Sequence, residues 1–279
     1  MDGEGAQLAG LTISANYRIA CPGDPVGWFA TQCAFDRCAT IAFRTEAKRR
    51  IGKDRRVAVA LTPSDWLAAL VATDVRCVTL FCTRQDGAEQ DTIRDRLTAG
   101  LAGGGSLCLM ISEAADGGAI CWTPGWRAAY PQAEDGRIWA VECLAVPCAP
   151  VSTGPSVELA TTRLADSLSA IQTFASQHHF ETITAIFASA QALLVGDPDP
   201  HADPRFVPRP PGPADILSAP ARQLRFAAQR AWTFDNLSLW RDQDFSQDTW
   251  RDYARLSERP YNDVTAAITA AVNASIPKL

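Results

Sequence analysis

The feature that most restricts the fold is a change of hydrophobic rhythm near residue 150. Before it, apolar residues come in short runs of strand length: Leu11–Cys21, Cys38–Arg44, Val57–Leu61, Val75–Cys82, Ser106–Ser112, Ala119–Thr123 and Arg137–Val146. After it the spacing becomes helical. Leu164, Leu168, Ile171 and Ala175 make one stripe, and Phe180, Ile183, Phe187, Ala190 and Leu194 make a second. The expected fold is therefore α+β: an N-terminal mixed α/β sheet domain over residues 1–150, packed on an all-helical C-terminal portion over 151–279.

Within the first half, Thr62-Pro63-Ser64-Asp65 follows the apolar run Val57–Leu61 and reads as a helix start. Thr62 can cap, and Pro63 suits the first turn. That helix continues through Trp66, Leu67, Leu70 and Val71, and a second is expected over Ala88–Leu101. Strand, helix, strand, helix, strand predicts a right-handed parallel unit. Residues 149–156, APVSTGPS, read as a linker.

In the second half, residues 197–220 hold eight prolines, a density that no helix interior or central strand tolerates. A long extended excursion is expected there, either a working arm or a stiffened connection. A helix from Pro220 to about Phe234 should turn Leu224, Ala227, Ala228 and Ala231 inward and Arg222, Arg225 and Arg230 outward. Two further helices are expected, near Thr249–Leu256 and Tyr261–Asn273.

Composition narrows the function classes. With 47% hydrophobic and 20% charged residues in 279, the chain can bury a core, and no apolar run reaches the roughly 18 residues of a membrane span. A formal charge of −5 argues against nucleic-acid binding. The nine cysteines are an odd number, scattered singly over Cys21–Cys148, a poor layout for a disulfide framework. Together with an acidic N-terminus lacking an apolar stretch, this predicts a cytoplasmic protein. Cysteines five apart (Cys33 and Cys38, Cys77 and Cys82, Cys143 and Cys148) imitate a metal spacing. On a strand such residues point to opposite faces, and buried small hydrophobes is the simpler reading.

Most reactive motifs are missing. The run Arg44–Arg56 has seven basic residues against two acids and suits either an acidic partner or a solvated turn. Gly103–Gly105 close a helix and lead into a strand, the reverse of a phosphate loop. There is no G-x-S-x-G, and Cys82 lacks the arginine six residues later that a cysteine phosphatase would need, Ala88 standing there. No cofactor is expected.

The remaining candidates lie mostly in the second half. His178 and His179 are candidate acid–base groups with Asp235, although adjacent helical residues diverge and one packed and one solvated histidine is the plainer reading. Around the helix after Pro220, tryptophan and acid interleave densely. Arg230, Trp232, Asn236, Trp240 and Trp250 are candidate binding residues, and Asp242, Asp244 and Asp248 candidate metal ligands. The alternative is that the tryptophans anchor this region on the core while the aspartates cap helices. Trp122 and Trp126 bracket Thr123-Pro124-Gly125, read as a turn with aromatic anchors. The expectation is a binding or accessory protein acting on a protein partner, with exposed aromatics that also suit an oligomer. The rival is a hydrolase or transferase with a carboxylate/histidine site between the two lobes.

Overall fold

The computed structural model describes residues 4–23, 35, 37–47, 55–84, 106–196, 216–233, 240 and 245–277. In chain order these form α1 (Glu4–Ala20), β1 (Cys38–Ala47), β2 (Arg55–Ala60), α2 (Pro63–Ala72), β3 (Val75–Arg84), β4 (Ser106–Ala114), β5 (Ala119–Ala128) and β6 (Trp139–Cys148), then α3 (Val157–Gln177), α4 (Glu181–Val195), α5 (Ala219–Arg230) and α6 (Gln247–Asn273). The fold is α+β. A six-stranded mixed sheet occupies the first half, in the order β2-β1-β6-β5-β4-β3, and helices make up the second. The expected helix 88–101, Gly103–Gly105 and most of the proline-rich excursion lie outside the described residues.

The sheet corrects the expected parallel unit. β2 and β3 stand at opposite edges, β3 pairs antiparallel with β4, and the one parallel pairing is β1 with β6. Alternating strand and helix therefore did not imply neighbouring parallel strands here, because α2 crosses the whole sheet from β2 at one edge to β3 at the other. Thr62 caps α2 as its sequence predicts, its hydroxyl accepting from the Asp65 N–H at 3.1 Å.

Thr123-Pro124-Gly125 is not a turn. It lies inside β5, opposite Leu144, Cys143 and Glu142 of β6. The β4 pairing ends at Trp122, so Pro124, which has no N–H to give, falls where β5 has a partner on one side only.

Alternate strand residues (Ile41, Phe43, Val78, Leu80, Met110, Trp122, Val141, Cys143) enter one core together with α1 and α2 and with residues of α3 to α6. Its densest part is aromatic. Phe43 stacks on Trp66 with centroids 4.4 Å apart, and Trp122 meets both edge-on.

The largest correction concerns Leu11–Cys21, expected as a strand. As far as Ala20 it belongs to α1, a helix in which every residue from Gln7 to Tyr17 is buried. α1 lies against β3, β4, α2 and α6. A helix covered on all sides needs no polar face and so shows no 3.6-residue alternation.

α3, α4, α5 and α6 pack in a ring, each against the next and α6 back against α3, while α6 also reaches β3. The two helices expected at 249–256 and 261–273 are one. Tyr253, Ser257, Pro260, Tyr261, Val264, Ala267, Ile268 and Ala271 are all buried, so one stripe runs through Pro260 without changing phase. Burial of that stripe offsets the roughly 3 kcal/mol that an interior proline costs. Arg225, expected to face outward, is only 6% exposed. No helix among the described residues is long and apolar enough to cross a membrane.

Candidate functional site

An edge strand leaves a row of backbone N–H and C=O groups without strand partners. β3 is such a strand, and two asparagines take the place of the missing neighbour. The Val78 N–H donates to Asn16 Oδ1 at 2.8 Å, and Asn16 Nδ2 donates to the Val78 carbonyl at 2.8 Å and to Ser275 Oγ at 2.8 Å. Two residues on, the Leu80 N–H donates to Asn273 Oδ1 at 2.8 Å, while Asn273 Nδ2 donates to the carbonyls of Leu80 and Thr153, each at 3.0 Å. Asn16 comes from α1 and Asn273 from the last turn of α6. Each primary amide offers one donor edge and one acceptor edge, the pair that an exposed peptide unit requires.

The next residue on that side of the strand is Cys82, and among the described residues no side-chain amide covers it. A cleft of about 220 Å³ opens between the end of β3, residues 152–155 and α6. Its polar lining is Cys82, Ser152, Tyr261, Asn262, Thr265 and Thr269, with Leu80, Phe81, Pro155 and Ala266 as apolar wall. None of the described lining residues is a carboxylate, histidine, lysine or arginine. At its β3 wall the Cys82 and Cys108 sulfurs stand 2.7 Å apart, in register across β3 and β4. The hydrogen bond with Cys108 draws the Cys82 thiol below its ordinary pKa, against burial and with help from the Thr269 hydroxyl.

No family model, curated protein or solved structure matches this chain.

The residues singled out from sequence are distributed differently. Trp122 is 3% exposed, and its indole N–H donates to Ser112 Oγ at 2.9 Å inside the core. Trp126 is half-buried and donates to Gln7 Oε1 at 3.1 Å. Trp240 is 1% exposed and packs on Phe180, Phe187, Phe245 and Tyr253, so it anchors the start of α6 on α3 and α4 rather than on the sheet. Trp250 is half-buried beside Phe245 and Tyr253. Trp232 does touch the cleft wall, its ring 5.8 Å from that of Tyr261, and Arg230 is half-buried just before it. Asn236 lies outside the described residues.

His178 ends α3 and packs against Phe174 and Phe180, whereas His179 is exposed in the left-handed region at φ 58°. Asp235, Asp242 and Asp244 lie outside the described residues. Asp248 is exposed in the first turn of α6 and pairs with Arg251 at 3.4 Å. Among the described residues no three histidine, cysteine or acidic side chains gather as a metal site would need. Of the basic run, Arg44 and Arg56 both clamp Glu142, Arg44 at 2.7 Å, and residues 48–54 lie outside the described residues. Cys38 and Cys143 are buried, and loss of solvation pushes their thiols up to about 11 and about 12. Thiols held protonated in this way are poor nucleophiles.

Sequence reasoning did not pick out Asn16, Asn273 or Cys108. Nothing in the sequence fixes the register that sets Cys82 opposite Cys108, because pairing the strands at 75–82 and 106–112 end to end would place Cys82 opposite residue 105 or 106.

Proposed function

We propose that the protein is a binding or accessory protein that acts through protein–protein interaction, and that it takes an extended segment of its partner into the cleft beside β3. The observation that carries this reading is the edge strand that is capped by side-chain amides as far as Leu80 and, among the described residues, has no such cap at Cys82, where the cleft begins. Strand alternation turns the Cys82 N–H and C=O the same way as those of Val78 and Leu80. An incoming peptide main chain is their natural complement, the mode in which a strand is added to a sheet edge.

The lining favours the same occupant. The lining is polar but uncharged, and the Thr265 and Thr269 hydroxyls, which donate to the Tyr261 and Thr265 carbonyls, keep oxygens able to accept from a peptide N–H. A volume of about 220 Å³ is below the roughly 300–1,000 Å³ of sites for drug-sized ligands and fits a short stretch of chain. Trp232 backs this wall, joining part of the tryptophan-rich segment to the cleft. The free cysteines support a reducing home such as the cytoplasm, and the acidic net charge favours a protein over a nucleic acid as partner.

Thr265→Trp, which fills the cleft from α6, tests the placement. A partner identified by co-purification with the intact protein should lose at least about tenfold in affinity, equivalent to about 1.4 kcal/mol. Thr182→Trp, on the exposed side of α4, should bind as the parent does. Equal affinity for all three proteins would remove the cleft from the interface.

A further inference from the structure

We propose that Cys82 and Cys108 form a redox-active dithiol that closes reversibly to a cross-strand disulfide, by exchange with a small-molecule disulfide whose sulfur is presented at the mouth of the cleft. Three observations converge. The two residues are directly opposite on neighbouring antiparallel strands, with their sulfurs in contact. Val78 and Leu80 give their N–H and C=O to asparagines on the outer side, so positions 78, 80 and 82 are the non-hydrogen-bonded pairs with β4. At such pairs Cα atoms are about 4.5 Å apart and side chains closest. That separation falls inside the roughly 4.4–6.8 Å that a disulfide spans, so closure needs no movement of the strands. Finally, Cys82 is partly exposed and lines the cleft, which places the pair beside the space that a reagent would enter.

No other pair among the described cysteines is in register: Cys77 faces Glu113, Cys121 faces Val146 and Cys148 faces Ala119.

The exchange balances without a further reagent. Cys82, as thiolate, attacks one sulfur of the small disulfide, forming a mixed disulfide and expelling one thiolate. Cys108 then loses its proton and attacks the Cys82 sulfur, expelling the second. Two protein thiols are oxidised, one small disulfide is reduced to two thiols, and the two protons from the cysteines end on those thiols. This site stands independently of the partner-binding reading.

The test is peptide mapping of the intact wild-type chain after equilibration with oxidised glutathione. A single joined peptide containing Cys82 and Cys108 is expected, with a loss of two titratable thiols, both restored by reduced glutathione. In Cys108→Ser the reaction should stop with glutathione retained on Cys82, and in Cys82→Ser neither product should form. Glutathione found on other cysteines while Cys82 and Cys108 remain thiols would overturn the proposal, as would Cys82 joined to a different cysteine. The wild-type map decides alone if either variant fails to fold.

Discussion

Asn16→Leu is expected to lower the stability of the protein by about 3–5 kcal/mol, although it replaces a polar residue by an apolar one of similar size in a buried site. The Val78 N–H and C=O both lose their partner, and a buried backbone group left unpaired costs roughly 1–3 kcal/mol. At roughly 2–4 °C per kcal/mol for a domain of this order, the melting temperature should fall by about 10 °C. Asn273→Leu should do the same through Leu80 and also release the Thr153 carbonyl. Asn16→Asp separates hydrogen bonding from size. An ionised carboxylate still accepts from the Val78 N–H but sets negative charge against the Val78 carbonyl, so its folded pKa must lie above the ordinary value of about 3.9. The protonated form, which can donate, contributes stability that is present at low pH and lost as pH rises through that raised pKa. Thermal melts of Asn16→Asp should therefore approach the parent near pH 4 and fall away by pH 7. A variant equally destabilised at both would show that the amide's donor has no such part.

The second large effect concerns α1. A chain lacking residues 1–23 is expected to have no cooperative unfolding transition and no fixed aromatic signal in near-ultraviolet circular dichroism. Leu8, Leu11, Ile13 and Tyr17 are each buried, at roughly 1.5–3 kcal/mol apiece. Their combined loss rivals the whole stability of an ordinary domain, about 5–15 kcal/mol, and the β3 edge at Val78 is uncovered as well. A truncated chain that still melts cooperatively would mean that α1 lies on the fold instead of inside it.

The same helix shows why part of the fold was legible and part was not. α3 and α4 each have a wet side, so their apolar stripes stand out at helical spacing. α1 has none, and Thr12, Ile13 and Ile19, being β-branched, imitate a strand. The two helices expected at 249–256 and 261–273 lie on either side of Pro260; a proline's cost is local, whereas the stripe that overrides it needs the whole length of α6 to be seen. Strand positions were readable from apolar runs, but pairing partners were not, since nothing local distinguishes a crossover from the antiparallel return that β3 and β4 make.

The site was less legible than the fold for a related reason. Asn16 lies 62 residues from Val78, and Asn273 lies 193 from Leu80. A buried amide that replaces a strand resembles any other asparagine in one dimension. Tryptophan drew attention as a binding residue, yet Trp122 and Trp240 place their large apolar surface in the core, and among the described tryptophans Trp232 alone backs the cleft.

Amide hydrogen exchange along β3 tests the central claim most directly, that the edge is closed as far as Leu80 and open from Cys82. In the free protein the Val78 and Leu80 amides should exchange only through global unfolding. The Cys82 amide should exchange at least about a hundredfold faster, a difference of roughly 2.7 kcal/mol, and slow when a partner segment occupies the cleft. A Cys82 amide as protected as that of Leu80 in the free protein would contradict the account.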